Sequence, residues 1–230
     1  DMLICQLNKN YLDDLITYNK LLKQRNVYLK NTLSIENIDI NQLNTYNERL
    51  FILNNSIKTI RKDQINLFTN RFNKIFKTLS QSNIKASIEY ISNFENKKGI
   101  QQYENDFKND FYSNKTSFGI HNDDYTFKID KELIKKFGSQ GQQKLFIISL
   151  KITEFFMLKF FSKKNPIILL DDVFDKLDDK RINLLLKYFD SNKFSQIFIT
   201  DSTQSRIEKI KTINKNIKII NIKNGEINDQ

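Results

Sequence analysis

The first third of the chain carries the apolar spacing of amphipathic helices. Tyr11, Leu15, Tyr18, Leu22 and Leu29 fall at steps of three and four residues or multiples of them, one stripe along a helix. Over 41–79 the pattern tightens. Leu43, Leu50 and Ile57 recur every seven residues, with Tyr46, Leu53, Ile60 and Leu67 in a second row beside them. Two apolar rows at heptad spacing predict a helix packed along a partner helix. Phe68, Phe72, Ile75 and Leu79 continue the stripe after a one-residue shift. The segment 34–41 separates the two helices, with Asp39 or Asn41 as the N-cap. Residues 1–116 therefore read as a helical arm: an antiparallel hairpin, then a strand within 84–94 and a helix over 101–111.

From about residue 117 the pattern alternates between strand and helix. Tyr125, Phe127 and Ile129 lie on one face of a predicted strand, and 142–161 is a long apolar helix that ends before Pro166, the only proline. Residues 167–170 are an unbroken apolar run of the kind found in buried parallel strands. A helix over 180–189, a strand over 196–200, a helix over 204–211 and a strand over 217–222 follow. Asn224-Gly225 predicts a turn into a last short strand around Ile227. This alternation predicts an α/β unit over 117–230, an open, mostly parallel sheet covered by helices.

Composition narrows the function classes more than it selects one. The 33 Ile, 31 Lys and 29 Asn share AT-rich codons, so the net charge of +10 partly records genome composition. Lys outnumbers Arg 31 to 6, whereas dedicated phosphate recognition favours the planar Arg fork. A basic balance permits a nucleic-acid partner without demonstrating one. No apolar run approaches the ~18 residues of a membrane span, and no signal-peptide pattern opens the chain, so no membrane partner is expected. Cys5 and His121 are the only residues of their kinds, too few for a structural zinc site or an internal disulfide, and a reducing cytosol is the natural compartment. The chain opens at Asp1 without Met, just ahead of a helical pattern, and reads as a fragment.

Three clusters carry candidate chemistry. Asp171-Asp172 closes the apolar run 167–170, at the strand end where open α/β sheets hold ligands, or else caps the next segment. Gly138-Ser139-Gln140-Gly141-Gln142 precedes the long helix. Its glycines permit close backbone approach and its helix start favours an anion, or else it is a polar turn with Ser139 as N-cap. Asp175-Lys176-Leu177-Asp178 follows the acidic pair as an acidic turn. Order and spacing join the three: a small-residue loop, a helix, a break, a strand ending in acids, then an acidic turn.

That order resembles the RecF family, bacterial recombination-mediator ATPases with an ABC-type, SMC-like head. The resemblance rests on 139–144 (Ser-Gln-Gly-Gln-Gln-Lys), 169–173 (Leu-Leu-Asp-Asp-Val) and 175–181 (Asp-Lys-Leu-Asp-Asp-Lys-Arg). It extends to 119–124 (Gly-Ile-His-Asn-Asp-Asp), 22–26 (Leu-Lys-Gln-Arg-Asn) and the ending around Asn224-Gly225-Glu226-Ile227. Ile120 and Asn122 stand where the family has Pro and Arg. The family's Gly-rich Walker A loop, which lies ahead of its helical arm, has no counterpart in the 230 residues. The resemblance thus implies the C-terminal lobe of an ABC-type P-loop ATPase head plus a helical arm, without the N-terminal lobe.

It further implies ATP and Mg²⁺ as cofactors, with Asp171 helping to hold the metal and Asp172 as general base for slow hydrolysis. Ser139, Gln140, Gly141 and Gln142 would meet the γ-phosphate of ATP on a partner subunit, and Asp178 would couple the two sites of an ATP-dependent homodimer. His121 would either approach the nucleotide region or, as the preferred reading, make a structural hydrogen bond, and any γ-phosphate sensing after the next strand falls to Thr200 or Asp201. The implied function is recombinational repair and replication restart on single-stranded, gapped or double-stranded DNA, with RecO- or RecR-like mediators and recombinase loading. The alternative, if Walker A is absent from the gene, is a non-catalytic DNA- or protein-binding scaffold.

Overall fold

The computed structural model describes residues 1–94, 99–163, 165–191, 194–203, 206, 210 and 217–228. A short helix α1 (Met2–Leu7) leads into α2 (Lys9–Asn31), whose N-cap Asn8 accepts a hydrogen bond from the Tyr11 amide at 3.0 Å. A connection containing one 3₁₀ turn (Ile35–Asn37) reaches α3 (Ile40–Ser80). Asp39 caps α3, its carboxylate accepting from the Asn41 and Gln42 amides. At about 1.5 Å per residue, α3 is roughly 60 Å long. Cross-helix bonds pair Arg25 with Asn47, Asp14 with Ser56 and Tyr11 with Arg61, so the two helices run antiparallel as expected.

The first heptad row is as the spacing predicts: Leu43, Leu50 and Ile57 are buried. The second row differs. Tyr46, Leu53 and Ile60 sit half-buried on the flank and Leu67 is exposed, while Asn47, Asn54 and Arg61 occupy the buried line. The sequence 43, 47, 50, 54, 57, 61 alternates steps of four and three, the spacing of a helix seam. Polar residues hold half of that seam because a loop, not only a helix, packs against it.

Strand β1 (Ala86–Ile91) pairs antiparallel with β2 (Asp124–Ile129), from Ala86 opposite Ile129 to Ile91 opposite Asp124. Helix α4 (Gln101–Ser113) and the segment 114–123 connect them, with a 3₁₀ turn at Ile120–Asn122. Asp130 and Lys131, both with positive φ (47° and 75°), turn the chain into β3 (Glu132–Leu133), the geometry of a two-residue hairpin. A single turn α5 (Ile134–Phe137) precedes α6 (Gln140–Ser162). Then β4 (Ile167–Leu170) pairs parallel with β5 (Gln196–Ile199) through the crossover helix α7 (Asp179–Asp190).

The largest core joins these parts. Phe72 and Phe76 of α3 meet Phe146 of α6 at ring separations of 4.6 and 5.7 Å. Ile168 and Leu170 of β4 and Leu185 and Leu186 of α7 complete it. The expectation of a strand buried on both faces is not met: Ile167 is 55% and Leu169 71% exposed, as is Phe198 at 48%. Among the described residues, helices cover one face of the β4–β5 pair. The strand expected over 217–222 is reduced to β6 (Ile222–Lys223), which turns through Asn224 and Gly225, both at positive φ, into β7 (Glu226–Ile227). Most of the helix expected over 204–211 lies outside the described residues.

Candidate functional site

The apolar run 167–170 ends β4 where the sheet meets solvent, and Asp171 and Asp172 are both exposed there. The next strand end closes beside them. The Thr200 amide donates to the Leu170 carbonyl at 3.0 Å, the Asp172 amide donates to Thr200 Oγ1 at 3.1 Å, and the Thr200 hydroxyl donates to Asp171 Oδ1. Asp172 adopts a left-handed backbone (φ 47°), which short polar residues tolerate better than others. Its carbonyl accepts from the Asp175 amide and starts the acidic turn. The N-cap alternative for the acidic pair does not hold, because α7 is capped by Asp178, whose Oδ1 accepts from the Arg181 amide at 2.8 Å. Asp201 turns inward, accepting from the Thr203 amide at 2.7 Å and pairing with Arg206 at 3.1 Å. Thr200, not Asp201, therefore stands at the acidic edge.

Among the described residues, no group of three or more His, Cys, Asp or Glu could hold a metal. Mg²⁺ needs no such cage, since it takes one or two carboxylates and completes its shell with phosphate oxygens and water. The exposed Asp171 carboxylate and the Thr200 hydroxyl are oxygen donors that fit this pattern.

The small-residue loop is built as a capping box. Ser139 Oγ accepts from the Gln142 amide at 3.2 Å, and the Ser139 amide donates to Gln142 Oε1 at 2.8 Å. Gln143 Nε2 donates back to the Gly138 carbonyl at 2.9 Å. Ser139, Gln140 and Gln142 lie at the surface side of this turn and Gly141 is buried. A Cβ on Gly141 would stand 2.6 Å from Arg181 Nη1 and 3.0 Å from the Lys176 carbonyl. The structure thus brings the loop against the acidic turn, while no hydrogen bond or ion pair among the described residues joins it to Asp171 or Asp172.

Two further motifs, 22–26 and 119–124, converge on the polar side of the α3 seam. Arg25 Nε donates to Asn47 Oδ1, and its Nη1 donates to Asp110 Oδ2 and Thr116 Oγ1, all within 2.9 Å. Asn26 Oδ1 accepts from the Thr116 amide and hydroxyl. Asn54 Oδ1 accepts from the Ile120 amide at 2.8 Å, and Arg61 donates to the Ile120 carbonyl and to Asp123. His121 sits inside this network, its Nδ1 2.7 Å from the Tyr18 hydroxyl and its Nε2 2.8 Å from the Thr116 carbonyl. The carbonyl can only accept, so Nε2 carries the proton and Nδ1 receives the Tyr18 hydroxyl. Burial raises the Tyr18 pKa far above the usual phenol range and lowers that of His121, which fits a neutral pair. Gly119 holds φ 143° beneath it, and a Cβ there would lie 2.5 Å from Tyr18 Oη. The role of Asn47, Asn54 and Arg61 escaped the apolar count, although their own seven-residue spacing is legible.

No family model matches the chain. The chain is 39% identical over 223 residues to the DNA replication and repair protein RecF of Flavobacterium johnsoniae, an alignment covering 96% of the chain and 62% of that relative. It is 35% identical over 230 residues to the RecF of Azobacteroides pseudotrichonymphae, covering all of the chain and 62% of the relative. Among solved structures, the recombination mediator protein RecF-ATP in the RecFOR pathway matches 96% of the chain and 59% of its own at a TM-score of 0.74 and 25% identity. The RecF-ATPrS structure matches 86% of the chain and 55% of its own at 0.72 and 27%. The chain spans about three fifths of the length of the curated relatives it matches.

Proposed function

The chain belongs to the RecF family, and we propose on that basis that it supplies the helical arm and an ATPase lobe of an ATP-dependent DNA repair and replication protein. The observation that carries this reading is the acidic edge itself. Asp171 and Asp172 stand exposed at the carboxyl end of a parallel strand, with the Thr200 hydroxyl bonded to Asp171. That edge is where open α/β sheets bind ligands.

Each candidate residue then has a defined task in ATP turnover. Asp171 and Thr200 offer oxygen donors to Mg²⁺, which when bound neutralises charge on the ATP phosphates. Asp172 orients the attacking water and takes its proton as general base. Aspartate is one methylene shorter than glutamate, so its reach to that water is short and turnover is slow. Ser139, Gln140, Gly141 and Gln142, at the amino end of α6, meet the γ-phosphate of ATP held by the partner subunit of a homodimer. The turn at Asp178 lies on the same interface and couples the two sites.

ATP acts in this scheme as a clamp, a ligand that shifts the population towards the closed dimer on DNA. Contacts to single-stranded or gapped DNA are mainly phosphate-directed and weaken with salt. RecO- and RecR-like mediators and recombinase loading in the cytoplasm complete the proposal. The test is Asp172→Asn in the complete protein, a substitution that keeps the left-handed backbone accessible. ATP-induced dimerisation, followed by light scattering, is expected to persist while hydrolysis stops. Parental hydrolysis in this variant removes Asp172 from the base role.

A further inference from the structure

We propose that Arg181 is a positioning residue that ties the 139–142 loop to the Asp178 turn, so that nucleotide met by one element is felt at the other. This inference rests on the assignment of both elements to the ATP-bound dimer interface. Three observations carry it. Arg181 Nη1 packs directly against Gly141, 2.6 Å from the place a Cβ would take. The same guanidinium reaches Asp178 Oδ2 at 3.4 Å, and the Arg181 amide donates to Asp178 Oδ1 at 2.8 Å. Asp178 therefore holds both the backbone and the side chain of Arg181, and Arg181 in turn lies against the first turn of α6. The Lys176 carbonyl closes the same contact from the acidic turn, 3.0 Å from the same Cβ position.

The electrostatics argue against simple space filling. The amino terminus of a helix is the positive end of its dipole and disfavours a cation. Arg181 nevertheless sits beside the amino terminus of α6 and within the first turn of α7, 28% exposed, with Asp178 as its counter-charge. An apolar residue would fill the space under Gly141 without this cost. A guanidinium does what an apolar residue cannot: it transmits a shift of the Asp178 carboxylate directly to the backbone of the loop. Movement of the turn towards a partner subunit therefore drags the loop with it.

The experiment compares Arg181→Gln, Arg181→Lys and Arg181→Met with the parent in the complete protein. Monomer affinity for ATP, ATP-driven dimerisation by light scattering and the cooperativity of ATP hydrolysis are measured for each. Arg181→Gln is expected to keep monomer ATP affinity within about twofold. It should weaken dimerisation at least about fivefold, the lower range of coupling between sites, and its hydrolysis should lose cooperativity. Arg181→Lys should recover part of both, since it keeps the charge but not the fork. Parental dimerisation and cooperativity in folded Arg181→Gln overturn the inference, as does equal loss of monomer ATP binding. If Arg181→Gln fails to fold, Arg181→Met, which keeps an unbranched chain without the charge, decides in the same way. A parent that does not dimerise with ATP sinks the functional reading and this inference together, whereas an unaffected variant of a dimerising parent sinks this inference alone.

Discussion

Replacing Asp110 by Ala is expected to destabilise the arm by about 3–5 kcal/mol, the range for breaking a buried ion pair from one side. Arg25 and Asp110 are both 0% exposed and 2.8 Å apart. At an effective dielectric constant of about 20, two unit charges at that distance attract by roughly 6 kcal/mol. The variant also removes the acceptor for the Ser117 amide and hydroxyl, which Asp110 Oδ1 binds at 2.8 and 2.7 Å. Against this, Arg25 keeps Asn47, Thr116 and the face of Tyr103, 5.5 Å from the ring centroid, and water can enter the space left by the carboxylate. Those remaining contacts bring the net cost below the Coulomb figure. With a urea dependence of about 2–3 kcal/mol per molar, the unfolding midpoint followed by far-ultraviolet circular dichroism should fall by roughly 1–2 M. The loss should be nearly equal in low and high salt, because a pair this deep is poorly screened. A midpoint shift below about 0.3 M at unchanged slope, or a loss that salt abolishes, refutes the reasoning.

Two other outcomes follow from the same network. His121 is the only histidine, so its imidazole can be followed alone by proton NMR, and it should titrate below the ordinary value of 6.5 in the folded chain and near that value in urea. Burial lowers the folded pKa, so the unfolded chain takes the proton first: stability should rise with pH up to about 6.5 and be lost as pH falls below it. A folded value at or above the unfolded one contradicts the buried neutral ring. Gly119→Ala should cost about 2–3 kcal/mol, since it meets Tyr18 Oη at 2.5 Å in a backbone conformation that L-residues avoid. A urea midpoint equal to the parent's would show that the loop shifts freely.

The hairpin was legible because Leu43, Leu50 and Ile57 keep strict heptad spacing and Asp39 caps the second helix. Its second row was misread because a count of apolar positions cannot see a buried polar seam. Asn54 and Arg61 are offset by hydrogen bonds to a loop about sixty residues away, and Asn47 by one from Arg25 of the other helix, partners that no local pattern encodes. The parallel pair β4–β5 was legible from its apolar run and crossover helix, but not that, among the described residues, helices cover one face of it. The order of loop, helix, strand and acidic turn located the acidic edge. It did not indicate that Gly141 packs on Arg181, because that contact joins two helix starts across about forty residues.

In the dimer proposed above, the capping box at Ser139 would make a phosphate compete for the Gln142 amide. The Ser139 hydroxyl oxygen already accepts from that amide, so a phosphate reaching for it must displace an internal bond, whereas the hydroxyl keeps its own proton to donate. Loss of such a cap costs about 1 kcal/mol, a tax that free phosphate in solution meets with few other contacts in return. A nucleotide delivered on a large protein surface brings many more. Under that proposal the box would act as a threshold, leaving the Gln142 amide less open to stray anions than to a docked partner.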